Sequence, residues 1–217
     1  MTDPDVTLTD YAIALECAVF CVLAMRWAEA RPGVRRWWLT MFASIAAGAL
    51  FGGTVHGFFL DPDTAGYAIL WPATLLALGV TSTAMWFIGA RLQLREPVAT
   101  WVRRAAVAQL LAYAAIVLFV DRRFVVAIAT YLPATVFLIV VMTLAYRRAR
   151  SRPAACAVVG LALTFVAAAV QQLGIAIHPV YFDHNALYHV IQGVALLLIF
   201  LGARWTVSAP PLTWSPT

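Results

Sequence analysis

The residues of this chain whose types and spacing permit chemistry are four histidines, two carboxylates beside apolar runs and a set of amides. In Asp183-His184-Asn185-Ala186-Leu187-Tyr188-His189-Val190-Ile191-Gln192, the residues Asn185, His189 and Gln192 stand at i, i+4 and i+7, so on a helix they share one face. Gln171, Gly174 and His178 stand at i, i+3 and i+7, which predicts a second polar stripe looking into the same region. His56 follows Gly48 and Gly52, a small-xxx-small stripe that lets helices approach closely in lipid. Glu16 lies about two turns into the first apolar run.

Imidazoles from separate helices plus a carboxylate form the donor set of a zinc site, and zinc with an open position acidifies a bound water for hydrolysis. On that reading His56, His184 and His189 are the metal ligands and Glu16 or Asp183 is the base. Asn185, Gln192, Gln171 and His178 then line the pocket. The spacing alone does not force this, because His184 and His189 are five apart and would leave a helix on different faces. The same residues have plainer roles. His178 and His184 flank a Pro179 loop, where a histidine is solvated or caps a helix. His56 and His189 can bond between helices without metal or hold haem, and Glu16 can be a neutral, hydrogen-bonded carboxyl. Gln171, Gln172 and Gln192 can join helices as polar glue. Cys17 and Cys21 share a face at i, i+4 and could hold a soft metal. Thiols inside apolar helices mostly pack as small hydrophobes, so core packing is expected for them and for Cys156, with no disulfide.

The elements that must position these groups follow from composition. Of 217 residues, 63% are hydrophobic and 12% charged, far from the roughly 45–50% and about 25% of soluble domains. Mean hydropathy is +0.85. Apolar runs extend over 8–27, 37–59, 65–90, 100–120, 124–146, 153–177 and 185–205, and each reaches the about 20 residues that cross a bilayer. Charge and punctuation fill the breaks: Arg31-Pro32-Gly33, Asp61-Pro62-Asp63, Arg95-Glu96-Pro97, Asp121-Arg122-Arg123, Arg147 to Pro153 and His178-Pro179. The expected fold is all-α, a polytopic membrane protein whose single seven-helix domain spans 1–207, with a short cytoplasmic tail at 208–217. The narrowest boundary is Asp121 to Arg123, where length argues for two spans instead of one.

Orientation follows from the arginines, since the chain has no lysine. Arg26, Arg31, Arg35, Arg36, Arg91, Arg95, Arg103, Arg104, Arg147, Arg148, Arg150, Arg152 and Arg204 fall on one side, and only Arg122 and Arg123 on the other. The positive-inside rule makes the richer side cytoplasmic, with the acidic amino terminus outside and the carboxyl terminus inside. The net charge of +5 is then a topology signal, and no groove-reading motif points to nucleic acid. No cleaved signal peptide is expected, because the start is acidic and the first run exceeds an h-region of about 7–15 residues. The tryptophans near span ends read as an aromatic belt. A retinal Schiff base is excluded for want of a lysine. Arginine-only, alanine-rich usage suggests a GC-rich bacterial genome and hence a plasma-membrane location.

The segment Asn185-Ala186-Leu187-Tyr188-His189-Val190-Ile191-Gln192-Gly193 resembles the start of the last helix in the alkaline ceramidase and adiponectin/progestin receptor superfamily, often called CREST. The resemblance implies seven helices and a zinc held by one histidine on helix two and two from an HxxxH on helix seven, with a serine and an aspartate nearby. His56 and His189 match two of the three ligand positions. Asn185 stands at the first histidine of HxxxH, and Gly52 at the serine four residues before the helix-two histidine. His184 could replace the missing ligand, and Thr54 or Ser44 the serine. Glu16, in a segment beginning Thr9-Asp10-Tyr11, is similar to the acidic amino-terminal region of the ceramidases, whose amino terminus is also outside.

Two functional expectations result. One is a membrane-embedded, zinc-dependent hydrolase acting on a lipid amide or ester near the outer face. The other is a non-enzymatic membrane protein, a sensor or transporter, that binds a small molecule or ion in a polar pocket in the outer half of the bundle. Both have the lipid bilayer as partner and neither involves nucleic acid.

Overall fold

The structure, a computed structural model, describes residues 1–209; the Pro-rich tail expected beyond helix seven lies almost wholly outside them. Among the described residues there are seven helices: α1 (Pro4–Met25), α2 (Val34–Phe58), α3 (Ala65–Gln93), α4 (Val98–Phe119), α5 (Phe124–Ala149), α6 (Arg152–Gln172) and α7 (His184–Ser208). All seven are long and apolar enough to cross a membrane. The break at Asp121–Arg123 separates two of them, as its length predicts: Arg123 folds back on the Asp121 carboxylate and α5 starts at the next residue.

Local chemistry sets the ends. Pro4 and Pro153 occupy the first turns of α1 and α6, where a missing N–H costs nothing. The Thr64 hydroxyl caps α3 by accepting from the Tyr67 amide at 3.2 Å. Pro72 and Pro133 lie inside α3 and α5, which neighbouring helices tolerate in an apolar bundle. The one departure that matters is α6. Its apolar run continues to Ile177, yet the helix stops at Gln172, because Gly174 turns into the left-handed region at φ 66 and the Ile175 amide returns to the Val170 carbonyl. Gly174 and His178 therefore do not continue the Gln171 stripe.

Six helices form a ring in the order α1, α2, α3, α5, α6, α7, closed by α7 against α1, while α4 packs outside on α3. Glycines allow the tightest contacts. A methyl on Gly160 would lie 2.6 Å from the Ala195 carbonyl oxygen, and one on Gly202 would collide with Ala157, so α6 and α7 touch nearly backbone to backbone. The Gly48 stripe of α2 faces Ala77 and Thr74 of α3 as expected.

The two ends of the ring differ. Towards the end holding the α1–α2, α3–α4 and α5–α6 connections, the space between α1, α2 and α7 is filled by side chains. Phe20 stacks on Phe200 at 4.2 Å, Phe42 meets both edge-on, and the fully buried Trp38 donates its indole N–H to Thr206 Oγ1 at 2.9 Å. Cys17, Cys21 and Cys156 are free thiols in helices, and Cys17 is part of this core. At the amino-terminal end the ring is open inside, and the polar residues lie there.

Candidate functional site

A cavity of about 400 Å³ occupies the amino-terminal half of the ring. Asp10 reaches it from α1, His56 from α2, Trp71 and Thr74 from α3, Gln171 and Gln172 from α6, and His184, Asn185, Tyr188, His189 and Gln192 from α7. The i, i+4, i+7 face of α7 thus looks inward, as its spacing dictates, with Tyr188 beside it.

The centre of the site is a chain of contacts between α1 and α7. His189 Nδ1 is 3.1 Å from Thr9 Oγ1, and His189 Nε2 is 3.2 Å from Asp10 Oδ1. Thr9 Oγ1 also reaches the Asp5 and Val6 carbonyls at 2.8 and 3.0 Å, and the donor at the Thr9–His189 contact is set by the tautomer of the ring. Zero net charge suits a side-chain pair 11% and 9% exposed. Glycines in α2 make room for it. A methyl on Gly53 would lie 2.7 Å from Asp10 Cβ, and one on Gly57 3.0 Å from Thr7 Cγ2.

Other polar groups point into the cavity with less company. Gln192 donates to Thr164 Oγ1 at 3.4 Å, but its Oε1 is buried without a hydrogen-bond partner. His56 Nδ1 lies 3.5 Å from Asp3 Oδ2 without hydrogen-bond geometry and is likewise buried and unpartnered. Gln171 Nε2 donates to Asn185 Oδ1 at 3.1 Å, tying α6 to α7.

The remaining candidates are dispersed. Asp183 caps α7, its Oδ1 accepting from the Asn185 and Ala186 amides at 2.8 and 2.9 Å, which explains its position without catalysis. His184, the first residue of α7, sits at the cavity mouth, 3.9 Å from Asp183 Oδ2. His178 is outside the cavity, in the α6–α7 connection, where its Nδ1 accepts from the Val180 and Tyr181 amides. Glu16 does not line the cavity; it lies in a separate groove on the α1–α7 seam with Thr9, His189, Val190 and Gly193. Asp10 and Thr9, which the sequence reading did not single out, are the groups that meet His189.

The cavity shares a wall with a narrower apolar space of about 100 Å³ between α3, α5, α6 and α7. Phe124, Gln171, Tyr188 and Gln192 border both, and Ile128, Tyr131, Leu132, Phe165 and Ala168 line the apolar part. The polar and apolar spaces are therefore adjacent.

The donor set for zinc is not assembled. Among the described residues no three of His, Cys, Asp and Glu come together. Both nitrogens of His189 are engaged, the Asn185 oxygen is taken by Gln171, and Gly52 brings no hydroxyl. In this arrangement the residues do not fit the metal that the superfamily resemblance implies.

A profile for a family of unknown function, DUF6962, matches residues 6–206. The chain belongs to this family. The matched region runs from α1 to α7 and so contains Asp10, His56, His189 and the whole cavity. No curated protein and no solved structure matches the chain.

Proposed function

We propose that this DUF6962 protein binds an amphiphile inside the membrane, with the polar head in the 400 Å³ cavity and the tail in the adjoining apolar space. The observation that carries this reading is the wall of Ile45, Leu78, Phe124, Gln171, Tyr188 and Gln192 that the polar cavity and the apolar space have in common. The head must carry a hydrogen-bond donor. Gln192 Oε1 is buried and unpartnered, and such an acceptor costs about 1–3 kcal/mol until a ligand or water satisfies it. An uncharged head suits the neutral His189–Asp10 pair better than an ion does. An amide or an alcohol meets both conditions. The arginine asymmetry supports placing the cavity on the non-cytoplasmic side, with the carboxyl terminus in the cytoplasm, and the residue usage supports a bacterial plasma membrane.

Amphiphile retained by purified protein tests the reading. Native mass spectrometry should show about one such molecule per wild-type chain and much less on Ala168→Trp, which fills the apolar space, and on Gln192→Leu, which removes the acceptor. Equal retention by all three would overturn it.

A second reading, hydrolysis of a lipid amide or ester, is favoured by one observation: the paired carboxyl and imidazole of Asp10 and His189 both line the cavity, where such groups serve general acid–base chemistry. The zinc version needs His189 to exchange Asp10 for metal and His56 and His184 to move onto it. Metal analysis of wild type, His56→Ala and His189→Ala decides this. About one zinc per chain, lost in both variants, would establish the metallohydrolase, and metal-free folded wild type would remove it.

A further inference from the structure

At the opposite end of the bundle a second pocket, of about 460 Å³, lies between the α1–α2 connection, the end of α3, the start of α4 and the end of α5. Five arginines line it, Arg31, Arg91, Arg95, Arg103 and Arg148, against one carboxylate, Glu96. That carboxylate is already bound by Thr100 and Arg103. A topological bias for arginine needs only that the residues be near helix ends; it does not need them to converge on one hollow.

The way these side chains are held is informative. Arg91 donates to the Pro32 carbonyl at 3.2 Å and lies over Gly33, where a methyl would come within 3.0 Å of its Nη1. The positive φ of Gly33, 77, thus coincides with the seat of the guanidinium. Arg91 Nε is buried without a hydrogen-bond partner, an arrangement that a protein rarely leaves unanswered. Arg148 reaches across from α5 to Gln93 Oε1 at 3.1 Å, which holds its charge at the rim.

We propose that this pocket binds a phosphate group, as a phosphomonoester or phosphodiester. Guanidinium forks match phosphate oxygens bidentately, remain charged at every accessible pH and lose little hydration on pairing. A basic hollow between membrane helices is also where anionic headgroups are held. The source is either the headgroup of an anionic lipid or a soluble phosphate, and the two differ in what competes for the site.

The test uses full-length protein purified in neutral detergent. One arm adds inorganic phosphate, with chloride at matched ionic strength as control, and reads the thermal unfolding midpoint. The other reconstitutes the protein in phosphatidylcholine vesicles with or without phosphatidylglycerol and counts retained lipid by native mass spectrometry. Wild type should respond in at least one arm: a phosphate-specific rise in midpoint identifies a soluble ligand, and retention of phosphatidylglycerol alone identifies a headgroup. Removing one charge-assisted contact by Arg91→Gln or Arg148→Gln should lower binding in that arm by about tenfold. Arg204→Gln, an exposed arginine at the same end but outside the pocket and not among the charges that act on Arg91, should leave it unchanged. Absence of binding in both arms, or equal losses in Arg204→Gln and the pocket variants, would overturn the proposal. Arg148, near the end of α5, serves where Arg91→Gln fails to fold.

Discussion

His189 of α7 and Asp10 of α1 face each other across 3.2 Å, and with Thr9 on the other ring nitrogen the imidazole has no free side. This contact closes the ring of helices at the level of the cavity. The pair should be energetically coupled. In a double-mutant cycle of Asp10→Ala and His189→Ala, unfolding in mixed detergent should give a coupling energy of about 0.5–2 kcal/mol. Gly53→Ala, whose methyl would press on Asp10 Cβ, should reproduce much of the Asp10→Ala loss. Strict additivity of the two alanine variants would contradict the contact.

The α6–α7 seam predicts which glycines are replaceable. Gly160→Ala drives a methyl against a main-chain carbonyl and should destabilise by about 1–3 kcal/mol. Gly52→Ala meets only ordinary contacts, the nearest 3.5 Å away at Thr74 Cγ2, and should stay within about 0.5 kcal/mol of wild type. Thermal midpoints in detergent compare the two directly.

Thr206→Val would strand the buried Trp38 N–H at the closed end of the bundle. The expected loss is about 1 kcal/mol, at most about 2, with amphiphile retention unchanged because the bond is remote from the cavity. A parallel loss of retention would mean that the two ends of the bundle are coupled.

How much of this was legible in the sequence depended on what each signal measures. Hydropathy runs and arginine breaks located seven helices, and the Asn185, His189, Gln192 spacing identified the inward face of α7, because both are properties of one segment. Asp10 escaped for a geometric reason. Asp10 stands only two residues into the first apolar run and groups with Asp3 and Asp5 as an acidic terminus, whereas α1 starts at Pro4 and carries Asp10 well inside. Glu16, the carboxylate that stood out, is six residues further on, about 240° round the helix, and so faces the outer seam. Which helix closes against which is a tertiary fact that no single run contains. The end of α6 was overestimated since Gly174 breaks the helix without interrupting hydropathy.

The loop between α3 and α4 predicts a pH effect whose sign is fixed. Hydrogen bonds from the Thr100 side chain and from Arg103 hold the exposed Glu96 carboxyl below its usual range. A depressed value means that this pairing is intact at neutral pH and is lost only as pH falls through the folded value. Carbon-13 NMR of labelled glutamate should give Glu96 a midpoint below about 4.3, moving back towards it in Arg103→Gln. An unshifted midpoint in wild type would contradict the pairing.

The most direct test of amphiphile binding is photocrosslinking with an N-acyl ethanolamine that carries a diazirine on the acyl chain close to the amide, followed by peptide mapping. The account predicts adducts on the residues lining the apolar space, Ile128, Tyr131, Leu132, Phe165 and Ala168, suppressed by excess unlabelled amide and by Ala168→Trp. Adducts spread over the outer faces of the bundle, at exposed positions such as Leu111 and Val140, with no competition by unlabelled amide, would contradict it.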